Sequence, residues 1–178
     1  MGKGLPVITL YPTILYGGGS CTDGNLVGKM MWWIATNRFP GLIGPGTQVW
    51  NLAYLHDVVR GHLLALERGL PGQTYILGGH DISLQALLAR IYELLGRKPS
   101  YRRLGIGTAE ALGSLLEWTA PITGKAPDLT RGVAGVYRHH WSYDSSKAER
   151  SLGYARTPLE DGLRETVQWA AGLKEWRA

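Results

Sequence analysis

Four residues into the sequence, Leu5-Pro6-Val7-Ile8-Thr9-Leu10-Tyr11 forms a short apolar run with glycine before it and proline after it. Apolar side chains at successive positions predict a strand buried on both faces, as in a parallel sheet. A central parallel strand needs neighbours on both flanks. The other segments that read as strands are few and short: Val49–Leu55, Thr74–Leu77 and Tyr101–Leu104. The chain is therefore expected to hold only part of a sheet.

Helical patterns alternate with these strands. Asn25–Asn37 carries Leu26, Val27, Met30, Met31 and Ile34 at helical spacing, and Pro40-Gly41 stops it. Asp57 is expected to cap a helix running to Arg68, with Val58, Val59, Leu63 and Leu66 inward. Ser83 reads as the N-cap of a helix whose buried stripe is Leu84, Leu87, Leu88, Ile91 and Leu95. A further helix is expected over Thr108–Thr119, followed by a loop at Pro121–Pro127. Thr157-Pro158-Leu159-Glu160 has the form of a capping box, ahead of a stripe at Leu159, Leu163, Val167 and Ala170. The alternation gives the class α/β.

At 178 residues the chain has the length of one domain. A single cysteine, Cys21, excludes an internal disulfide framework and a thiolate zinc site. No apolar stretch is long enough to span a membrane, and no signal peptide opens the sequence. A cytoplasmic location is expected. The net charge of +5 comes from scattered lysines and arginines, densest at Arg97-Lys98 and Arg102-Arg103, which predicts a solvated rim and no nucleic-acid partner.

Three patterns imitate a catalytic site. Gly105-Ile106-Gly107-Thr108-Ala109-Glu110 begins like a dinucleotide loop, but Glu110 replaces the third glycine and would bring negative charge to the pyrophosphate. It reads as a turn into a helix. Tyr143 and Lys147 have the spacing at which an ammonium can lower a phenol pKa on one helical face. Asp144 as an N-cap would leave Tyr143 outside that helix. The histidines at 56, 62, 80, 139 and 140 have no metal-ligand spacing, so no metal is expected.

Several motifs in collinear order carry a family resemblance. Gly4-Leu5-Pro6-Val7-Ile8 with Tyr11-Pro12-Thr13-Ile14-Leu15-Tyr16-Gly17 resembles the strand after the catalytic helix of extended short-chain dehydrogenases/reductases. The group it is most similar to is the dihydroflavonol-4-reductase-like and NAD-dependent epimerase/dehydratase proteins. Leu55-His56-Asp57-Val58-Val59-x-Gly61-His62 resembles their next strand-to-helix segment, and Tyr75-Ile76-Leu77-Gly78-Gly79 the strand and glycine turn after it. Tyr143-Asp144-Ser145-Ser146-Lys147-Ala148 with Leu152-Gly153-Tyr154, and Leu159-x-x-Gly162-Leu163-x-x-Thr166, are similar to their C-terminal tail.

The resemblance implies an incomplete Rossmann-like parallel sheet plus a small α/β substrate-binding lobe, residues 1–178 forming a single partial domain. Gly2-Lys3-Gly4 would fall just after the catalytic helix. The Gly-rich cofactor loop and the catalytic Tyr-x-x-x-Lys would then lie before residue 1, and Tyr143–Lys147 falls in the wrong part of the fold. No catalytic residue is therefore assigned within the chain. The cofactor implied is NAD or NADP, with Pro12, Thr13, Ile14 and Leu15 along the nicotinamide and Gly17–Asn25 with its helix as one wall of the substrate pocket. Trp50-Asn51-Leu52-Ala53-Tyr54 departs from the Arg-Asp-Tyr/Phe of sugar-nucleotide epimerases, which favours a smaller carbonyl substrate. The chain alone is expected to be inactive. Two other readings stand beside this one: an interaction module that pairs with a separately encoded N-terminal half, and a truncated gene product without independent function.

Overall fold

A computed structural model describes residues 5–19, 21–22, 24–124 and 127–176, without the Thr123 side chain. Gly2, Lys3 and Gly4 lie outside the described residues, as do two residues of the expected Gly17–Asn25 wall and two of the Pro121–Pro127 loop. The strands are β1 (Thr9–Pro12), β2 (Ile14–Tyr16), β3 (Leu42–Ile43), β4 (Val49–Tyr54), β5 (Thr74–Leu77), β6 (His80–Ser83) and β7 (Arg103–Leu104). The helices are α1 (Leu26–Ala35), α2 (Leu55–Arg68), α3 (Leu84–Leu94), α4 (Ile106–Thr123), α5 (Arg131–Val136), α6 (Ser146–Leu152) and α7 (Leu159–Gly172).

The expected strand Leu5–Tyr11 is shorter and lies further along. It begins at Thr9, and a break at Thr13 sends the chain from one ladder to another. β1 pairs in parallel with β5, Tyr11 opposite Ile76, while β2 pairs in parallel with β4, Ile14 opposite Leu52. β4 also pairs antiparallel with β6, and β3 runs parallel to β7. The strands thus form three small sheets, and β1 has β5 as its one ladder partner among the described residues. Burial on both faces does not hold for this run: Leu5, Val7 and Tyr11 are exposed.

Local signals place several helices as expected. Asn25 caps α1, its Oδ1 accepting from the Gly28 N–H at 3.0 Å. The helix ends at Thr36, with Asn37 in the left-handed region at φ 59°, before Pro40 is reached. Ser83 caps α3 by accepting from the Ala86 N–H. Leu84, Leu87, Leu88 and Ile91 are buried, each contributing about 1.5–3 kcal/mol by removal from water. With α1, α7 and the inner face of β4 they form the larger of two cores; β5, α2 and α6 enclose the smaller.

Three helix expectations are corrected. In α2 the buried residues are Asp57, Val58, Gly61 and Ala65, while Val59, Leu63 and Leu66 face outward. Small side chains let α2 sit close to β5, and a Cβ at Gly61 would come within 2.8 Å of Leu77. Asp57 lies in the first turn but is not the cap, which falls at Tyr54. α4 continues through Pro121 to a left-handed Gly124, because a proline in the last turn forfeits one backbone hydrogen bond without blocking the turns before it. No helix among the described residues is long and apolar enough to cross a membrane.

Candidate functional site

The C-terminal end of β1 opens into a cavity of about 300 Å3 lined by Tyr11, Pro12, Thr13, Ile14, Ile76, Trp141 and Tyr143. Three of the four residues expected along a nicotinamide, Pro12, Thr13 and Ile14, meet here. Leu15 continues along β2 and does not line it. Ligands in open α/β sheets sit off the carboxyl ends of parallel strands, which is where this cavity lies.

The far wall comes from the segment before α6. Trp141 bridges to Trp50 in parallel, its N–H donating to the Val49 carbonyl at 2.8 Å, and its carbonyl accepting from the Asn51 N–H at 2.8 Å. Asn51 ties the parts together. Its Oδ1 accepts from Thr13 Oγ1 and from the Gly79 N–H, both at 2.8 Å. Its Nδ2 donates to Asp81 Oδ1 at 2.6 Å, and Asp81 in turn accepts from Ser142 Oγ. A buried amide used on both its donor and acceptor sides holds three segments in one geometry.

Gly78 and Gly79 are required by this approach. A Cβ at Gly79 would overlap the Leu52 carbonyl oxygen, and one at Gly78 would meet Ser145 Oγ and Asn51 Oδ1. The Gly78 N–H donates to Ser145 Oγ at 3.2 Å, and its carbonyl accepts from Tyr154 Oη at 3.0 Å. Asn51, Asp81 and Trp141 were not singled out as site residues from sequence. The partners of Asn51 lie 28 to 38 residues away, Ser142 lies 61 residues from Asp81, and Trp141 pairs with Val49 and Asn51 from further still, so no local pattern marks these residues.

Tyr143 lines the cavity but has no catalytic lysine beside it. α6 begins at Ser146, so Tyr143 is outside the helix, and Asp144 accepts from the Ser146 N–H at 2.9 Å. Lys147 instead donates to Gln73 Oε1 at 2.9 Å and stands 5.0 Å from the centre of the Tyr75 ring. Gly105 serves as the turn into α4, and Glu110 forms a two-pronged pair with Arg138. Among the described residues no His, Cys, Asp and Glu gather in a metal-binding group. Trp50, which opens the segment that departs from Arg-Asp-Tyr/Phe, is fully buried and packs against Tyr137.

The nearby phenols are held neutral. Burial pushes Tyr16 and Tyr54 well above the usual phenol range, with Asp57 adding to the shift at Tyr16 and Glu165 at Tyr54. Burial, then the Asp57 carboxylate, pushes Tyr154 up to about 12.

No family profile matches the chain. The chain is 26% identical over 170 residues to the 2-alkyl-3-oxoalkanoate reductase of Stenotrophomonas maltophilia, covering 90% of itself and 50% of that protein. It is 29% identical over 141 residues to the dTDP-glucose 4,6-dehydratase of Escherichia coli, covering 75% of itself and 33% of that protein. The crystal structure of a nucleoside-diphosphate-sugar epimerase from Pseudomonas aeruginosa superposes with a TM-score of 0.69 at 28% identity, over 93% of this chain and 48% of that one. The chain spans half or less of the length of these relatives. Its relatives and structural neighbours are extended short-chain dehydrogenases/reductases of the NAD-dependent epimerase/dehydratase and dihydroflavonol-4-reductase-like group, and the chain corresponds to part of that Rossmann-like fold.

Proposed function

We propose that this chain is the C-terminal, substrate-side half of an NAD(P)-dependent oxidoreductase acting on a ketone or similar carbonyl. The observation that carries the reading is the cavity at the end of β1, where Pro12, Thr13 and Ile14 face Trp141 and Tyr143. Its lining is largely apolar and carries the aromatic rings of Tyr11, Trp141 and Tyr143, which suits one face of a nicotinamide ring. Among the described residues no cation lines it, so it fits the ring end of a dinucleotide better than the pyrophosphate. When bound, the cofactor would supply or accept hydride. Pro12 to Ile14 would hold the ring against the strand end, and Trp141 would exclude water from it. The proton donor and the phosphate loop are assigned to an N-terminal half. A keto-acid reductase among the relatives supports the carbonyl substrate.

Reduced nicotinamide mononucleotide, titrated into the chain and followed by amide NMR, tests the assignment. Weak saturable binding with shifts at Thr13, Ile14 and Trp141 is expected. Shifts confined to other residues would sink it. The chain alone is expected not to oxidise NADPH with any ketone, and measurable turnover would overturn that part.

A second reading has its own observation. Among the described residues one side of β1 is unpaired, with Leu5, Val7 and Tyr11 exposed, and it accompanies an apolar outer stripe on α2 at Val59, Leu63 and Leu66, continued by Leu70 just after the helix. An exposed strand edge with such a stripe invites a partner strand and helix. This favours a cofactor-binding half, in the same polypeptide or another, docked at that face. Leu63→Glu and Leu66→Glu together are expected to abolish co-purification with such a half while leaving the melt of the chain alone within a few degrees. Unchanged co-purification would rule out this face.

A further inference from the structure

A second cavity, of about 680 Å3, lies between α1, the β3–β7 ladder, α3, α4 and α5. We propose that it binds the tail of the substrate, an elongated apolar chain ending in an anionic group, either carboxylate or phosphate. The inference deepens the substrate-side reading and rests on it, since that reading assigns α1 and its neighbours to the substrate.

The walls are built for hydrocarbon. Leu26 and Met30 come from α1, Leu84 and Leu88 from α3, and Leu112 and Leu116 from α4. Apart from three arginines, Asp128 and Tyr137, the lining side chains are apolar or aromatic. A sugar or other polyhydroxylated ligand would bury hydroxyls with few partners, at about 1–3 kcal/mol each. The volume lies within the ~300–1,000 Å3 range of small-molecule pockets.

The charge on the lining has one sign to spare. Arg38, Arg102 and Arg103 contribute to it, and the single acid, Asp128, is taken by Lys29 at 2.7 Å. Among the described residues none of the three arginines has a carboxylate partner: Arg38 lies over the Trp32 ring at 5.4 Å and Arg103 donates to the Pro45 carbonyl. The parallel register of β3 with β7 sets Leu42 opposite Arg103, and both residues line the cavity. Guanidinium forks match carboxylate and phosphate oxygens in pairs. An anion at the arginines with its chain along α1 and α4 uses both features at once.

The test is calorimetric titration of the chain, without cofactor, with octanoate, decanoate, dodecanoate and decyl phosphate. Affinity is expected to rise about fourfold per added methylene until the cavity is filled. Decan-1-ol and decyltrimethylammonium are expected to bind at least tenfold more weakly than decanoate. Whichever of decanoate and decyl phosphate binds more tightly names the head group. Leu112→Trp, at a half-exposed position that tolerates the larger ring, should weaken decanoate at least tenfold by filling the cavity. Arg102→Glu, on the surface, should weaken decanoate and leave decan-1-ol unchanged. No saturable binding of either anion, equal binding of the ammonium, or affinity unmoved by both variants would overturn the proposal. Because no nicotinamide is present, its failure is separate from failure of the mononucleotide titration at Thr13 and Ile14.

Discussion

Asp57 and Thr157, one hundred residues apart, hold each other by two hydrogen bonds. Thr157 donates its N–H to Asp57 Oδ2 and its Oγ1 hydroxyl to Asp57 Oδ1, each at 2.7 Å. Both residues carried a local capping pattern, Asp57 for α2 and Thr157 for α7. Neither caps its helix: the caps fall at Tyr54 and Pro158, and no side chain bonds at either. A carboxylate only 2% exposed, with Arg60 at 2.6 Å, takes both donors of Thr157 in preference to the local turns.

Removing that pair is expected to cost more than an ordinary cap. Asp57→Asn turns an amide donor toward Thr157 and should destabilise the chain by about 2–4 kcal/mol. Thr157→Val removes one of the two bonds and should cost about 1–2 kcal/mol. Urea unfolding of both variants and of the double variant gives the coupling. Additive losses would mean that the two residues act independently.

Asn51 is expected to control the order of the segment before α6. Asn51→Leu leaves the Gly79 N–H and Thr13 Oγ1 without their acceptor and removes one of the two donors to Asp81, that to Oδ1. A loss of about 2–4 kcal/mol is expected, from the buried Gly79 N–H and the half-buried Thr13 hydroxyl losing their acceptor. Amide exchange at Gly79 should rise with it, and so should exchange at Trp141, whose N–H and carbonyl pair with β4. Protection at Trp141 equal to that of the parent would show that the segment is held by other contacts.

Two glycines separate close approach from backbone freedom. Gly79→Ala drives a methyl into the Leu52 carbonyl and should prevent native folding or cost more than about 4 kcal/mol. Gly72, at φ +81°, has nothing within 4 Å of a built Cβ, so Gly72→Ala should cost only about 1 kcal/mol from its left-handed backbone. Thermal melts rank the two, and equal losses would contradict the packing at Gly79.

The buried phenols predict alkaline instability. Tyr154 loses its proton near 10 when unfolded and near 12 when folded, so above pH 10 the unfolded state sheds a proton that the native state keeps. Stability is full below pH 10 and falls as pH rises from about 10 to 12. The slope per such group is at most ~1.4 kcal/mol per pH unit. Tyr154→Phe should lower stability at pH 8 by about 1–2 kcal/mol, through its lost bond to the Gly78 carbonyl, and flatten the alkaline slope. An unchanged slope in urea unfolding between pH 9 and 11 would assign the loss to other groups.

α1, α3, α7 and β5 were legible from the sequence because their signals are local. Leu84, Leu87, Leu88 and Ile91 repeat within one helix, Ser83 sits next to the N–H it caps, and Thr74–Leu77 is bounded by its own turns. The collinear motifs likewise pointed to the family, and Pro12, Thr13 and Ile14 to the end of β1.

Only the tertiary structure decided which of several possible partners each group takes. The apolar run Leu5–Tyr11 reads as one strand, but pairing with β5 begins only at Thr9, and after the break at Thr13 a second strand, Ile14–Tyr16, pairs with β4 instead. α2 offers large and small apolar faces, and the close approach of β5 selects Gly61 and Ala65 for burial. Asp57, Thr157 and Asn51 each have donors or acceptors that a neighbouring turn could satisfy. Partners brought from 28 to 100 residues away satisfy them instead, because in a buried, low-dielectric setting a charge-assisted or doubly used hydrogen bond outweighs an exposed local one.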